Sequence, residues 1–167
     1  MNISRNASII LLVITNIAID QISKFWVRAV VEPYSSSPII GDYLTLRNVE
    51  NEGAFLGMGS DLNDTLRLIL LLIIPAVVLL FVLFYMFKEK QMDKLSLIGF
   101  SCVVGGGIAN VFDRFVHSSV TDFLFIDLGF VRTGIFNIAD LSVTTGMILI
   151  LWASFKHRKK DKAESQA

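Results

Sequence analysis

The sequence predicts an all-α membrane protein, a bundle of four transmembrane helices with a small extracytoplasmic β-rich insert between the first and second. Three observations predict it. Hydrophobic residues fill 53% of the 167 positions and charged residues only 18%, which is too oily for an ordinary soluble domain. The apolar residues are gathered into runs close to the roughly 20 residues, at about 1.5 Å rise each, that cross a bilayer core. Between the first and second runs lies a stretch rich in Gly, Pro, Ser, Asn and Asp.

The first span is placed at about 7–28. Its leading run, Ala7 to Ile19, is short and follows Arg5, as a secretory signal peptide would. No convincing small-x-small cleavage site follows, and the apolar pattern resumes past Asp20 at Ile22, Phe25, Trp26 and Val27. The segment therefore reads as a spanning helix with an acid in its outer half. The insert occupies about 31–65, where Pro38 to Leu46 carries strand-forming residues around Gly41-Asp42, the pattern of a small sheet lying on the membrane. The second span, about 66–87, has one charge, Arg67, at its edge; Pro75 requires a local kink or neighbouring groups to absorb the lost hydrogen bond. The third span, about 95–112, has no charge. The fourth, about 138–155, has one acid, Asp140, in its first turn. Residues 156–167 read as a disordered basic tail, and residues 1–167 as one integral membrane domain.

Net charge is zero, with fifteen basic and fifteen acidic residues, so nothing points to nucleic acid. The position of the charges is more informative. Nine basic residues (Arg5, Lys88, Lys90, Lys94, Lys156, Arg158, Lys159, Lys160 and Lys162) fall on one side of the predicted membrane. Six (Lys24, Arg28, Arg47, Arg67, Arg114 and Arg132) are spread along much longer segments on the other. This asymmetry predicts cytoplasmic termini, with the insert and the loop from Asp113 to Asn137 facing outward. The one cysteine, Cys102, lies in an apolar run, so no internal disulfide forms and the residue is read as packing.

The third span ends in Asn110-Val111-Phe112-Asp113-Arg114 and the fourth begins Asn137-Ile138-Ala139-Asp140. Both acids therefore lie at one membrane face, and they meet if the two helices are neighbours. Two facing carboxyls are the minimum equipment of an aspartic protease: one withdraws a proton from water while the other donates to the carbonyl oxygen. Asn137 can also be a plain N-cap, with Asp140 favoured by the helix dipole. Asp113, at a helix C-terminus, is opposed by the dipole, and intramembrane acids usually serve a site. From this asymmetry Asp140 is expected to be the more acidic of the two.

Asp20 and Lys24, one turn apart, form either a structural ion pair or a positioning device for the substrate or insert. Gly105-Gly106-Gly107, with Ser101 and Ala109, gives the third span a small-residue face for close helix packing. His117 and His157 are read as solvated. No metal-binding or cofactor motif is present.

At these residues the sequence resembles the lipoprotein signal peptidase family, the bacterial type II signal peptidases. Five motifs carry the resemblance in order along nearly the whole chain. They are Asp20-Gln21-x-x-Lys24, Asn51-x-Gly53-Ala54, Gly105-Gly106-x-x-x-Asn110-x-x-Asp113-Arg114, Val120-x-Asp122-Phe123 and Phe136-Asn137-x-Ala139-Asp140. The resemblance implies an intramembrane aspartic endopeptidase, acting as a monomer in the bacterial inner membrane without metal or cofactor. Its implied substrate is a diacylglyceryl-modified prolipoprotein, met among membrane lipid and cleaved before the lipidated cysteine. Asp113 and Asp140 are the implied catalytic pair, with Asp20, Lys24, Asn51, Gly53, Asn110, Arg114, Asp122 and Asn137 shaping the site and contacting substrate. The insert is implied to form a cradle and lid over the bundle. Two residues depart from the family pattern: Phe55 replaces a usual second Ala, and Ala109 a usual Gly. A proton-coupled carrier or channel subunit, and a noncatalytic assembly protein, are the competing readings.

Overall fold

A computed structural model describes residues 4–54 and 57–164, so the departure at Phe55 lies outside the described residues. Helix α1 runs Arg5–Val30. Its N-cap, Ser4, accepts a hydrogen bond from the Ala7 N–H, the usual way to satisfy a helix's free amides. Asp20 and Lys24 do not interrupt it because they pair with each other across one turn at 2.8 Å. Helix α2 spans Asp64–Lys88, capped by the Asn63 side chain on the Leu66 N–H. Pro75 lacks a donor and crowds the carbonyl four residues back. A π-helical turn over Leu68–Ile73 widens the ladder just before it, which is the local adjustment the sequence requires.

Helix α3, Lys94–His117, starts at N-cap Asp93 and stops at Ser118, whose left-handed backbone (φ 62°) ends the ladder. It extends past the predicted edge at residue 112, so Asp113 and Arg114 lie within the helix and not at its end. Helix α4 is Ile138–Glu164. The disordered tail expected from residue 156 is thus corrected: helix continues to Glu164, through a Lys, Arg, Ala and Glu composition of good helix formers. All four helices contain a window long and apolar enough to cross a membrane. Large apolar side chains such as Phe25, Phe81 and Trp152 remain about two-thirds or more exposed, as expected where lipid is the solvent.

The insert forms a hairpin, β1 (Ser36–Ile40) and β2 (Leu44–Asn51), pairing antiparallel with Ser36 opposite Arg47. Gly41 at φ +49° supplies the left-handed turn. A third strand, β3 (Val120–Ile126), comes from the loop between α3 and α4 and pairs antiparallel with β2, from Leu44 opposite Ile126 to Asn51 opposite Val120. The order is β1-β2-β3. The sheet is therefore built from two loops that are distant in sequence. It sits on the bundle through Val27 of α1 and Val31, the residue that caps it, packed on Phe123 of β3, while a second apolar cluster, Ile9, Val13, Met86 and Val104, closes the opposite end of the helices.

Close helix packing follows from the small residues of α3. A Cβ on Gly106 would lie 2.4 Å from the Ala139 carbonyl oxygen of α4, whereas one on Gly107 would meet only the Leu79 side-chain methyl at 2.6 Å. A methyl can swing aside and a helix backbone cannot. Gly106→Ala is therefore expected to lower stability by about 1–3 kcal/mol more than Gly107→Ala. Thermal unfolding of the two variants in detergent checks this; equal midpoints would remove the tight α3–α4 contact from the account.

Candidate active site

Asp20, Lys24 and Asp113 are fully buried. Their position follows from helical periodicity: residues 20 and 24 share the face of α1 that packs on α3. Lys24 Nζ lies 2.8 Å from Asp20 Oδ2, 2.8 Å from Asp113 Oδ2 and 2.8 Å from Asn110 Oδ1. Asn110, one turn before Asp113, turns its other end outward, and its Nδ2 donates to Asp140 Oδ1 at 2.9 Å. Asp113 and Asp140 are thus joined through two side chains, Lys24 and Asn110, in one continuous polar network.

Helix α4 is delivered to this network by its own N-terminus. The Asp140 N–H donates to Asn137 Oδ1 at 2.9 Å, and the Asn137 N–H donates to Asp140 Oδ2 at 3.2 Å, a reciprocal capping box. Asn137 is therefore the N-cap that the sequence offered, and it also serves the network. Its Nδ2 donates to Asp122 Oδ1 at 2.7 Å. Asp20 Oδ1 accepts the Ala139 N–H at 2.8 Å. The Asp20–Lys24 pair is hence an ion pair with a further task, satisfying one of the free amides at the start of α4.

The sheet joins from the other side. Asn51 Nδ2 donates to Asp122 Oδ2 at 2.9 Å, and Asn51 Oδ1 accepts the Gly53 N–H at 3.0 Å. Arg114 donates to the Gly53 carbonyl at 2.8 Å, anchoring the insert to α3. A Cβ at Gly53 would sit 2.5 Å from the Gly57 backbone, so only glycine fits. All ten residues singled out in the sequence meet in this one connected region. Asp140 is half-buried and borders a cavity of about 220 Å³ with apolar walls from Phe136 and Leu141. A second cavity, of about 500 Å³, is lined by Asn51, Asp122 and Ile135.

The chain is similar to known proteins along most of its length. A family model described as signal peptidase (SPase) II matches residues 11–156. The chain belongs to the signal peptidase II family. A lipoprotein signal peptidase of Treponema pallidum (strain Nichols) is 31% identical over 150 residues, covering 86% of this chain and 81% of the relative. Two solved structures, both described as a bacterial membrane enzyme determined by the in meso method, are each 26% identical. One has a TM-score of 0.81, covering 92% of this chain and 90% of its own; the other has 0.77, covering 89% and 93%. The peptidase is a membrane aspartic peptidase of the kind that processes prolipoproteins, and nothing in these likenesses favours a carrier.

The two acids differ in their partners. Both cations lie on Asp113, from Lys24 at 2.8 Å and Arg28 at 3.4 Å, whereas Asp140 receives the neutral donors of Asn110 and the Asn137 backbone. Sequence reasoning also missed Arg28 and Gln21. Gln21 Nε2 donates to Asp113 Oδ1 at 3.0 Å. Arg28 binds Thr121 Oγ1 at 2.6 Å and reaches the His117 ring at 3.1 Å, tying α1 to the sheet. Spacing held the clue, since residues 20, 24 and 28 recur every fourth position on one helical face. Both histidines, though exposed, have partners: His117 has Arg28, and His157 lies 3.2 Å from Asp93.

Asp122 lies outside the spans and is buried. Burial pushes its carboxyl up to about 6, with the amide hydrogen bonds from Asn51 and Asn137 opposing. Because the folded form holds its proton more tightly than an ordinary carboxyl near 3.8, the stabilisation is complete below about 4 and is lost as pH rises through about 6. The stability advantage of the parent over Asp122→Asn should therefore shrink by roughly 2 kcal/mol between pH 4 and pH 7. Unfolding of both proteins across that range tests it, and a constant difference would mean an unshifted carboxyl.

Proposed function

We propose that Asp113 and Asp140 are the catalytic pair of this peptidase. The substrate is a diacylglyceryl-modified prolipoprotein, cut on the N-terminal side of the lipidated cysteine. The observation that carries the reading is the single network joining the two acids through Lys24 and Asn110, next to the cavity at Asp140. Water held between two carboxyls loses a proton to one of them as it attacks the scissile carbonyl, and the other supplies the proton that neutralises the carbonyl oxygen. The remaining network residues hold that geometry: Asp20 and Asn137 fix the start of α4, while Asn51, Gly53, Arg114 and Asp122 fix the sheet. A site beside lipid-facing helices suits a substrate that arrives sideways through the bilayer with its acyl chains still in lipid.

The site is placed on the extracytoplasmic face, with both termini cytoplasmic and one copy of the chain sufficient for activity. The distribution of basic residues favours this orientation: nine lie in the short segments flanking the helices on one side and six along the longer segments of the other.

The test is cleavage of a synthetic diacylglyceryl-prolipoprotein by the purified chain in detergent, with product mass fixing the cut site. Loss of the signal peptide just before the modified cysteine is expected. An intact chain that leaves the substrate uncut and instead carries protons into liposomes would replace this reading with the carrier.

A further inference from the structure

We propose that the groove between the first turns of α1 and α4's neighbour α3, at the opposite end of the bundle from the acids, binds the headgroup and one acyl chain of an anionic phospholipid. This goes beyond the peptidase reading and does not rest on it. The N-termini of α1 and α3 lie side by side here, and each opens with a basic residue, Arg5 and Lys94, with no acid in the first turn of either helix. A helix N-terminus carries partial positive charge and disfavours cations; the Asp93 carboxylate caps α3 and Ser4 caps α1, so the helix ends themselves are answered and the side-chain cations remain. What the groove offers a phosphodiester is therefore the pair of side-chain cations, Arg5 and Lys94, brought together at one rim.

The groove has a volume of about 570 Å³, with Arg5, Ser8 and Lys94 at its rim and Leu11, Leu97 and Ile98 along its wall. Among the described residues neither cation forms an ion pair. One guanidinium nitrogen of Arg5 donates to the carbonyls of Met86 and Glu89 at the end of α2, while its Nε is buried without a partner. The nearby acids have partners of their own: Asp93 caps α3 by accepting from Leu95 and Ser96 and also accepts from His157, and Glu89 accepts the Gln91 N–H. A charged rim above an apolar wall, on helices that span the membrane, matches a lipid rather than a free anion. The phosphate would lie between Arg5, Ser8 and Lys94 and the acyl chain along the leucines.

The groove is far from the acids. Arg5 and Asp20 are separated by fifteen positions of α1, or about 22 Å along a helix.

Native mass spectrometry of the delipidated full chain, with phosphatidylglycerol or phosphatidylcholine of identical acyl chains added back, tests the proposal. One phosphatidylglycerol should be retained about 25-fold more strongly than phosphatidylcholine, taking about fivefold per basic residue. Lys94→Gln, whose side chain has no hydrogen bond to lose, should reduce that preference about fivefold, and adding Arg5→Gln should abolish it. Prolipoprotein cleavage should persist in Lys94→Gln, so failure here and failure of the peptidase reading are separable. Equal retention of the two lipids, an unchanged preference in Lys94→Gln, displacement of the lipid by inorganic phosphate, or a second copy of the chain occupying the groove would each overturn it.

Discussion

Asp113→Asn and Asp140→Asn should each reduce prolipoprotein cleavage by about 10²–10⁴-fold while leaving a folded, detergent-soluble protein. The two variants differ in what else they lose. Asp140 is held by neutral donors from Asn110 and the Asn137 backbone, and an amide in its place keeps an acceptor for one of them. Asp113 faces Lys24 and Arg28, so Asn there also removes a charge that two cations share. Asp113→Asn should therefore lower the unfolding midpoint more than Asp140→Asn, although both remove catalysis. Because the acids act as a unit, the double variant should be scarcely slower than either single one. Turnover, unfolding midpoint and the double variant together check the assignment. Either single variant keeping parental turnover would end the assignment of that acid.

The second large effect concerns Lys24. It is fully buried and its ammonium serves Asp20, Asp113 and Asn110 together. A buried charge is costly alone and tolerable when paired, so removing one partner is worse than never having built the pair. Lys24→Met fills the same space without charge and leaves two buried carboxylates facing one another. A loss of about 3–5 kcal/mol is expected, enough to unfold a marginal membrane protein in detergent. Asp20→Asn in the same chain removes one of the stranded charges and should restore part of the loss, a coupling that a double-mutant cycle measures. If the single and double variants are equally unstable, Lys24 matters for its packing and not for its charge.

The four helices and the small sheet of the insert were legible in the sequence because each rests on local pattern. Runs of apolar residues mark helices, a glycine turn between strand formers marks the β1–β2 hairpin, and two Asn-x-x-Asp spacings mark the candidate acids. What was not legible depends on partners far along the chain. Strand β3 follows α3 after only two residues, and its buried Thr121 and Asp122 obscure an apolar alternation; it becomes a strand by pairing with β2 about seventy positions earlier. The cations that face Asp113 were not legible for a similar reason. Local sequence places Arg114 beside Asp113, yet Arg114 reaches the insert at Gly53 while Lys24 and Arg28 of α1 supply the cations. The extension of α4 past residue 156 was missed because a run of charges was taken as disorder, when its composition favours helix.

The bond from the Ala139 N–H to Asp20 spans 119 positions, which has a consequence for biogenesis. A nascent chain has its first helix in the bilayer long before the ribosome reaches the segment that completes the cluster. Until that last helix inserts, Asp140 is absent and Asp20 has no amide to hold. If Asp113 and Asp140 act together as proposed, peptide-bond hydrolysis waits until translation has supplied the fourth crossing.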